Sequence, residues 1–275
     1  GLTTEEANKP IALHLEKIGA LFALKKIEHQ YPHCWRCHKP VIFRATSQWF
    51  CSVDDFKDDA VKAAEDVKWF PEWGKDRLQS MVKERADWCI SRQRKWGVPI
   101  PVVYCQDCGK EIIDNDIMMK VSKIFGEEGS DAWFAHDTEY FLPEGFKCPH
   151  CGSAKGFDKE KDIMDVWFDS GSSHAAVCAR RKYLKVPADV YLEGADQYRG
   201  WFQSSLLTSV AGGHGAPYKQ IITHGWTVDG EGKKMSKSLG NGIDPLLVID
   251  QYGADALRMF LATGNSPGND MRYSE

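Results

Sequence analysis

Nine cysteines lie unevenly along the 275 residues, and six of them form three Cys-x-x-Cys pairs: Cys34/Cys37, Cys105/Cys108 and Cys148/Cys151. Two intervening residues let a tight turn aim both thiolates at one ion, and in a reducing compartment such pairs serve metal or redox chemistry rather than structural disulfides. Cys105-Gln106-Asp107-Cys108-Gly109 and Cys148-Pro149-His150-Cys151-Gly152 each place a small residue after the second cysteine, as zinc knuckles do. Together they supply four thiolates, enough to fill a tetrahedral structural Zn2+ site; buried thiols without metal are the alternative. Residues 109–147 must then fold as a small lobe of their own. Cys34/Cys37, flanked by His33 and His38, has no visible partner pair, so it is either half of a metal site or two reduced thiols. Cys51, Cys89 and Cys178 stand alone and are expected to pack in the core.

A second set of groups suits anionic and polar ligands. Glu193-Gly194-Ala195-Asp196-Gln197 offers two carboxylates and an amide, with Trp201 about one helical turn beyond, and His224-Gly225-Trp226 leads into an Asp229-Gly230 turn. The following stretch, Glu231 to Asn241, sets Lys233, Lys234 and Lys237 with Ser236 and Ser238 among glycines. Ammonium and backbone N–H groups so placed can surround a polyphosphate, although a solvated lysine-rich turn is the bland alternative. The Walker Gly-Lys-Ser/Thr pattern is absent. Arg92, Arg94 and Lys95 around Trp96 suit a phosphate or RNA contact, or simply a solvated face.

The elements that must carry these groups can be read from periodicity. Residues 1–30 have helical spacing, with Ile11, Leu13, Leu15, Ile18, Leu21 and Leu24 on one broad face, predicting a packing helix. Val41–Val53, rich in β-branched and aromatic residues, predicts one or two strands, followed by a helix over 57–67. Leu78, Met81, Val82 and Cys89 recur at helical spacing and predict a second amphipathic helix. From residue 190 onward strands and helices alternate. Val190–Gly194 is a strand, Asp196 opens a helix running to about Ser209, Gln220–Val228 is the next strand, and Asp244-Pro245 caps a further helix. That is a βαβ pattern, hence a parallel sheet whose ligands bind beyond the carboxyl ends of its strands.

Apolar residues make up 43% of the chain and charged residues 27%, which supports a packed α/β core and excludes disorder, coiled coil and collagen-like repeats. The net charge of −4 argues against bulk binding of a phosphate backbone. No apolar run approaches the roughly 20 residues that span a bilayer. A cytoplasmic protein is expected. The start at Gly1 and the end at Glu275 suggest a fragment.

Lys234-Met235-Ser236-Lys237-Ser238 matches the KMSKS signature of class I aminoacyl-tRNA synthetases, and it follows a strand as that class requires. Asp165-Val166-Trp167-Phe168-Asp169-Ser170-Gly171, Leu192 through Trp201, Trp88 through Arg94 and Tyr31 through Cys37 all resemble the bacterial-type isoleucyl-tRNA synthetases, in order along nearly the whole chain. Valyl and leucyl enzymes share KMSKS but not this set.

The resemblance implies activation of L-isoleucine with ATP, taken as its Mg2+ complex, to isoleucyl-adenylate and pyrophosphate, then transfer to tRNA(Ile). It implies that Lys234 and Lys237 stabilise the departing pyrophosphate, with Met235, Ser236 and Ser238 completing the ATP loop. Glu193, Gly194, Asp196 and Gln197 would bind polar groups of the adenylate, Trp167 and Trp201 would wall the aliphatic pocket, and His224 and Gly225 would lie near the adenine. Buried tryptophans of a sheet core are the alternative for the last pair of rings. A zinc-bearing insertion, a monomeric parent enzyme and editing of misacylated tRNA are also implied.

The chain lacks the family's H-x-G-H signature and most of the editing insertion. The expected organisation is an editing-insertion exit at 1–52, connecting helices at 53–104, a zinc insertion at 105–160 and the second half of a Rossmann-like nucleotide-binding fold at 161–275. Alone it is expected to be inactive. The rival is a non-enzymatic zinc-ribbon module gripping RNA through Arg92, Arg94, Lys95 and the Lys233–Lys237 loop.

Overall fold

The computed structural model describes residues 1–34, 37–236 and 240–274, which form two compact units divided after Ser47. In the first, helix α1 (Thr4–Lys17) starts at a capping box in which Thr3 Oγ1 accepts the Glu6 N–H while the Glu6 carboxylate accepts the Thr3 N–H. It ends near Gly19, whose φ of +69° takes the chain out of helical geometry. The helical spacing read through residue 30 therefore overruns the helix by three turns. No residue of α1 is buried, so the expected packing helix is instead a solvated one among the described residues.

The second unit runs β1 (Phe50–Cys51), α2 (Lys57–Ala63), β2 (Lys68–Phe70), α3 (Trp73–Lys83), β3 (Trp88–Cys89), β4 (Ser91–Arg92), β5 (Val103–Cys105), β6 (Glu111–Ile112), α4 (Asn115–Glu128), α5 (Ala132–Ala135), α6 (Thr138–Phe141), β7 (Phe157–Lys159), β8 (Ile163–Met164) and α7 (Val166–Gly171). It continues through β9 (Tyr191–Gly194), α8 (Trp201–Ala211), β10 (Gln220–His224), β11 (Thr227–Val228), α9 (Pro245–Tyr252), α10 (Ala254–Gly264) and β12 (Met271–Arg272). Its centre is a parallel sheet in the order β2-β10-β9. Leu78 and Val82 of α3, Phe202 and Leu206 of α8, and Ile221 and Tyr198 are wholly buried against it, each aliphatic or aromatic side chain contributing about 1.5–3 kcal/mol. Helix α7 lies so close to α8 that a Cβ at Gly171 would stand 2.8 Å from the Ser204 carbonyl oxygen.

A second core belongs to the insertion between β4 and β8. The antiparallel sheet β6-β5-β7 packs Val103, Ile112 and Phe157 against Ile117 and Val121 of α4 and against Trp133 and Phe141. Asp114 starts α4 by accepting the N–H groups of Asp116 and Ile117. The insertion is tied to the sheet body at Glu160. Its carboxylate accepts Tyr104 O–H at 2.5 Å, Trp49 Nε1–H at 2.8 Å and the N–H groups of Lys161 and Asp162, while its carbonyl accepts Trp133 Nε1–H.

The structure departs from the sequence reading at four further places. Of Val41–Val53 only Phe50–Cys51 is strand, because β3 is its partner and the remainder finds no ladder among the described residues. Cys89 lies in β3 rather than on the preceding helix, which closes when Arg85 N–H bonds the Val82 carbonyl in a tightened last turn. Asp196 caps nothing. It sits in a short 3₁₀ segment, Ala195–Arg199, and α8 begins after Gly200 with its Trp201 N–H capped by Gln197 Oε1 at 2.9 Å. The strand expected over 220–228 divides at Gly225, where a Cβ would lie 2.1 Å from the Asn269 carbonyl oxygen.

Candidate functional site

The four insertion cysteines converge. Cys105 and Cys151 Sγ are 3.6 Å apart, Cys108 and Cys148 Sγ 3.8 Å, and all four sulfurs lie within 4.8 Å of one another. Tetrahedral zinc with bonds of about 2.3 Å separates its sulfurs by about 3.8 Å, so the donor set and its spacing fit that ion. The convergence follows from two matching turns. In one, Cys105 N–H bonds Lys110 O and Gly109 N–H bonds Cys105 O; in the other, Cys148 N–H bonds Ser153 O and Gly152 N–H bonds Cys148 O. Both turns need a left-handed residue, supplied by Gly109 at φ +69° and Gly152 at φ +76°. Burial opposes the Cys148 thiolate, but the backbone N–H groups of His150 and Cys151 and the Cys151 and Cys105 thiols hold its pKa below the ordinary thiol value, while the neighbouring thiols raise that of Cys151.

The first unit repeats this turn. Cys34 N–H bonds Lys39 O and His38 N–H bonds Cys34 O, with His38 at φ +56° where the other two turns use glycine. Trp35 and Arg36 fall outside the described residues, and no second pair of ligands accompanies Cys34 and Cys37 among those described.

The second constellation is assembled by strand register. β9 and β10 run parallel with Glu193 opposite Thr223 and Gly194 opposite His224, so the two sequence stretches leave the sheet side by side at its carboxyl edge. Gly194 permits this, since a Cβ there would lie 2.8 Å from Asp196 Oδ1 and 3.3 Å from the His224 ring. Gln197 Nε2 reaches Asp196 Oδ2 at 3.3 Å. The Trp167 ring and Gln197 Oε1 both press on Gly200, where a Cβ would come within 2.9 Å of either one. Trp201 stacks on Tyr191 at 3.9 Å and donates its Nε1–H to Ser170 O at 3.0 Å, which anchors α8 to α7. Trp167 is 40% exposed and Glu193 and Asp196 are exposed, so these groups border an open surface rather than a sheet core. His224 donates Nδ1–H to the Gly225 carbonyl at 2.7 Å.

Below α7, Asp165 is buried and accepts Trp88 Nε1–H at 2.9 Å, with the Arg92 guanidinium at 3.1 Å. Arg92 also donates to the Cys89 and Ser91 carbonyls. It is therefore tied to the fold through one end of its guanidinium while its side chain stays 40% exposed. Asp169, one turn after Asp165, has its pKa pushed up to about 6 by burial and by the Asp165 charge.

The lysine loop leaves β11. Asp229 N–H bonds Lys233 O, Lys234 bridges back to Val228, and the Lys234 ammonium lies 3.8 Å from the centre of the Trp226 ring. Met235 and Ser236 are half-buried, while Lys237 and Ser238 lie outside the described residues. Sequence reasoning missed Gly200, Glu160 and Asn241. Gly200 and Asn241 could have been noticed as a glycine beside a cluster of site residues and an amide where a loop returns.

The family model for class I tRNA synthetases (I, L, M and V) matches residues 5–274. The chain belongs to the class I tRNA synthetases. Over all 275 residues this synthetase chain is 59% identical to isoleucine–tRNA ligases from Caldicellulosiruptor bescii and Thermoanaerobacter sp. strain X514, of which it spans 30% and 29%. It thus spans about 30% of the length of the curated relatives it matches. The methionyl-tRNA synthetase of Mycobacterium tuberculosis bound by methionyl-adenylate superposes on 89% of this chain and 39% of its own, with a TM-score of 0.55 at 21% identity, which places the class I synthetase fold. No helix of the described residues is long and apolar enough to cross a membrane.

Proposed function

We propose that this chain supplies the KMSKS-bearing part of an isoleucine–tRNA ligase, which converts isoleucine and ATP to isoleucyl-adenylate and pyrophosphate and then charges tRNA(Ile). One observation carries the reading: the β9/β10 register sets Glu193 opposite Thr223 and Gly194 opposite His224, at the strand ends where α/β sheets bind nucleotides, with the lysine loop following in sequence after His224. In this reading Glu193, Asp196 and Gln197 hold polar groups of isoleucine and the adenylate ribose, and Trp167 and Trp201 flank the aliphatic side chain. His224 and Gly225 lie along the adenine. Lys234 and Lys237 meet the triphosphate. As the carboxylate attacks the α-phosphorus in line, charge grows on the departing pyrophosphate, and fixed ammonium groups stabilise that state more than the ground state. Met235, Ser236 and Ser238 shape the loop around ATP, whose Mg2+ arrives with the nucleotide.

The 59% identity to isoleucine–tRNA ligases supports isoleucine over the other amino acids of this family. An apolar pocket rejects valine, smaller by one methylene, by only about 1–3 kcal/mol, which gives an editing insertion its purpose. Zinc on Cys105, Cys108, Cys148 and Cys151 would cross-link the insertion as a structural ion, and Cys34 with Cys37 would form half of a second site. Residues 1–52 are then the exit of an editing insertion, 53–104 the connecting helices, 105–160 the zinc insertion and 161–275 the second part of the nucleotide fold, in a cytoplasmic, monomeric parent.

The test is amino-acid-dependent ATP–pyrophosphate exchange by the complete protein containing this chain. Exchange with isoleucine at kcat/KM roughly 100-fold above valine is expected. Exchange driven best by leucine, methionine or valine overturns the assignment.

A further inference from the structure

The lysine loop is closed at its base by two side chains to which the reading above gives no contact with substrate. Asn241 Oδ1 accepts the Ser236 N–H at 2.9 Å, and its Nδ2 donates to Asp229 Oδ2 at 2.9 Å and to Lys234 O at 3.3 Å. Asp229 uses its other oxygen to accept the N–H groups of Glu231 at 3.0 Å and Lys233 at 2.8 Å. One carboxylate and one amide therefore grip the outgoing arm, the returning arm and the backbone on both sides of Lys234. The Asn241 amide and then the Lys233 N–H hold the Asp229 carboxyl below its ordinary range. Beneath the clamp β11 pairs with β12, and Tyr273 N–H bonds Val228 O at 2.8 Å, so its base rests on sheet. The Lys234 ammonium is meanwhile held over the Trp226 ring.

We propose that Asp229 and Asn241 are positioning residues that fix the base of the lysine loop, so that Lys234 is presented to the triphosphate from a pre-ordered backbone. A lysine on a loose loop must lose chain entropy before it can stabilise a transition state, and the clamp removes that cost before ATP arrives. The proposal rests on the reading that Lys234 meets ATP. Its chemistry also predicts which changes can be repaired. Asn241→Asp sets two carboxylates against each other across 2.9 Å. In the exchanged pair, Asp229→Asn with Asn241→Asp, amide and carboxylate trade ends. One donor still faces one acceptor across the 229–241 contact and position 241 still accepts the Ser236 N–H, while only the longer bond to Lys234 O is given up.

Two readouts test this. On the 275-residue chain, trypsin cleavage after Lys233 and Lys234, followed by mass spectrometry, should be about tenfold faster in Asn241→Asp and return to within about threefold of the parent in the exchanged pair. In the complete protein, Asn241→Asp should lower kcat for isoleucine-dependent ATP–pyrophosphate exchange about tenfold or more while leaving the isoleucine KM within about twofold, and the exchanged pair should recover most of the loss. Unchanged cleavage in Asn241→Asp, or equal losses in the single and exchanged variants, overturns the clamp. If the complete parent protein shows no isoleucine-dependent exchange, the functional reading fails, and the trypsin comparison by itself decides the clamp.

Discussion

The cysteine insertion and the carboxyl edge of the parallel sheet reach order by different routes. The insertion carries its own order: its four ligands, two knuckle turns and apolar core all lie between Val103 and Lys159, with Cys105 and Cys148 buried, Cys108 half-buried and Cys151 exposed at its edge. The sheet edge is rigid underneath, with Tyr198, Phe202 and Ile221 sealed, yet the groups assigned to substrate sit in the open, including Glu193, Asp196 and Lys234. A structural ion site must exclude water and exchange. A site for substrates must present polar groups that become desolvated only when substrate arrives. The contrast separates residues that stabilise from residues that act.

The largest effect that could break this contrast is on the insertion. Purified protein should carry one zinc on the four cysteines, or two if the Cys34/Cys37 half-site is completed. Cys148→Ser should release the insertion zinc and melt the insertion, because structural zinc contributes about 10–16 kcal/mol of apparent binding energy that is also folding energy. Elemental analysis with protease mapping would show it, and a fully folded metal-free insertion would contradict it.

On the sheet edge the prediction reverses. Lys234→Ala in the complete protein should leave the melting temperature unchanged while lowering kcat for ATP–pyrophosphate exchange roughly 100-fold, with the isoleucine KM nearly constant. An equal loss in kcat and isoleucine affinity would move Lys234 out of the pyrophosphate role.

The joint between the regions comes next. Trp49, Tyr104 and the N–H groups of Lys161 and Asp162 all donate to the Glu160 carboxylate, so Glu160→Gln turns an N–H group toward donors on one side or the other and should cost about 1–3 kcal/mol by denaturant unfolding. Burial raises the Glu160 carboxyl pKa, but these donors outweigh it and hold it below its usual range, while burial together with the Glu160 hydrogen bond and charge lifts Tyr104 to about 12. The substitution should therefore lower the Tyr104 titration, read by ultraviolet absorbance.

The smallest effect concerns Asp169. Its folded pKa of about 6 lies above the unfolded value near 3.8, so the folded state binds the proton more tightly and stability falls as pH rises from about 4 to 6. Asp169→Asn should stabilise the chain by roughly 1–2 kcal/mol at pH 7.5, with the gain vanishing toward pH 4. A gain independent of pH would point to packing instead.

Sequence made the cysteine insertion readable because knuckle geometry is local: spacing and one left-handed residue determine where each thiol points. The sheet-edge strings were readable as motifs, and the alternation of elements after residue 190 supplied the parallel strands beneath them. Their juxtaposition was not readable, since the pairing of Gly194 with His224 is a register that local pattern does not specify. The Gly200 contact with Trp167 and the Asp229–Asn241 clamp depend on three-dimensional approach. Helix α1 and the stretch before Phe50 misled for the opposite reason. They carry apolar or β-favouring residues, and propensity without a partner surface does not make a packed element.

The central claim is that these strand ends and this lysine loop form part of an isoleucine-activating site. The direct measurement is isoleucine-dependent ATP–pyrophosphate exchange by this chain, mixed with a separately produced piece carrying the remaining catalytic sequence of the complete protein. Exchange in the mixture, with neither piece active alone, is the predicted result. No exchange in a mixture whose pieces are both folded and zinc-loaded would contradict it.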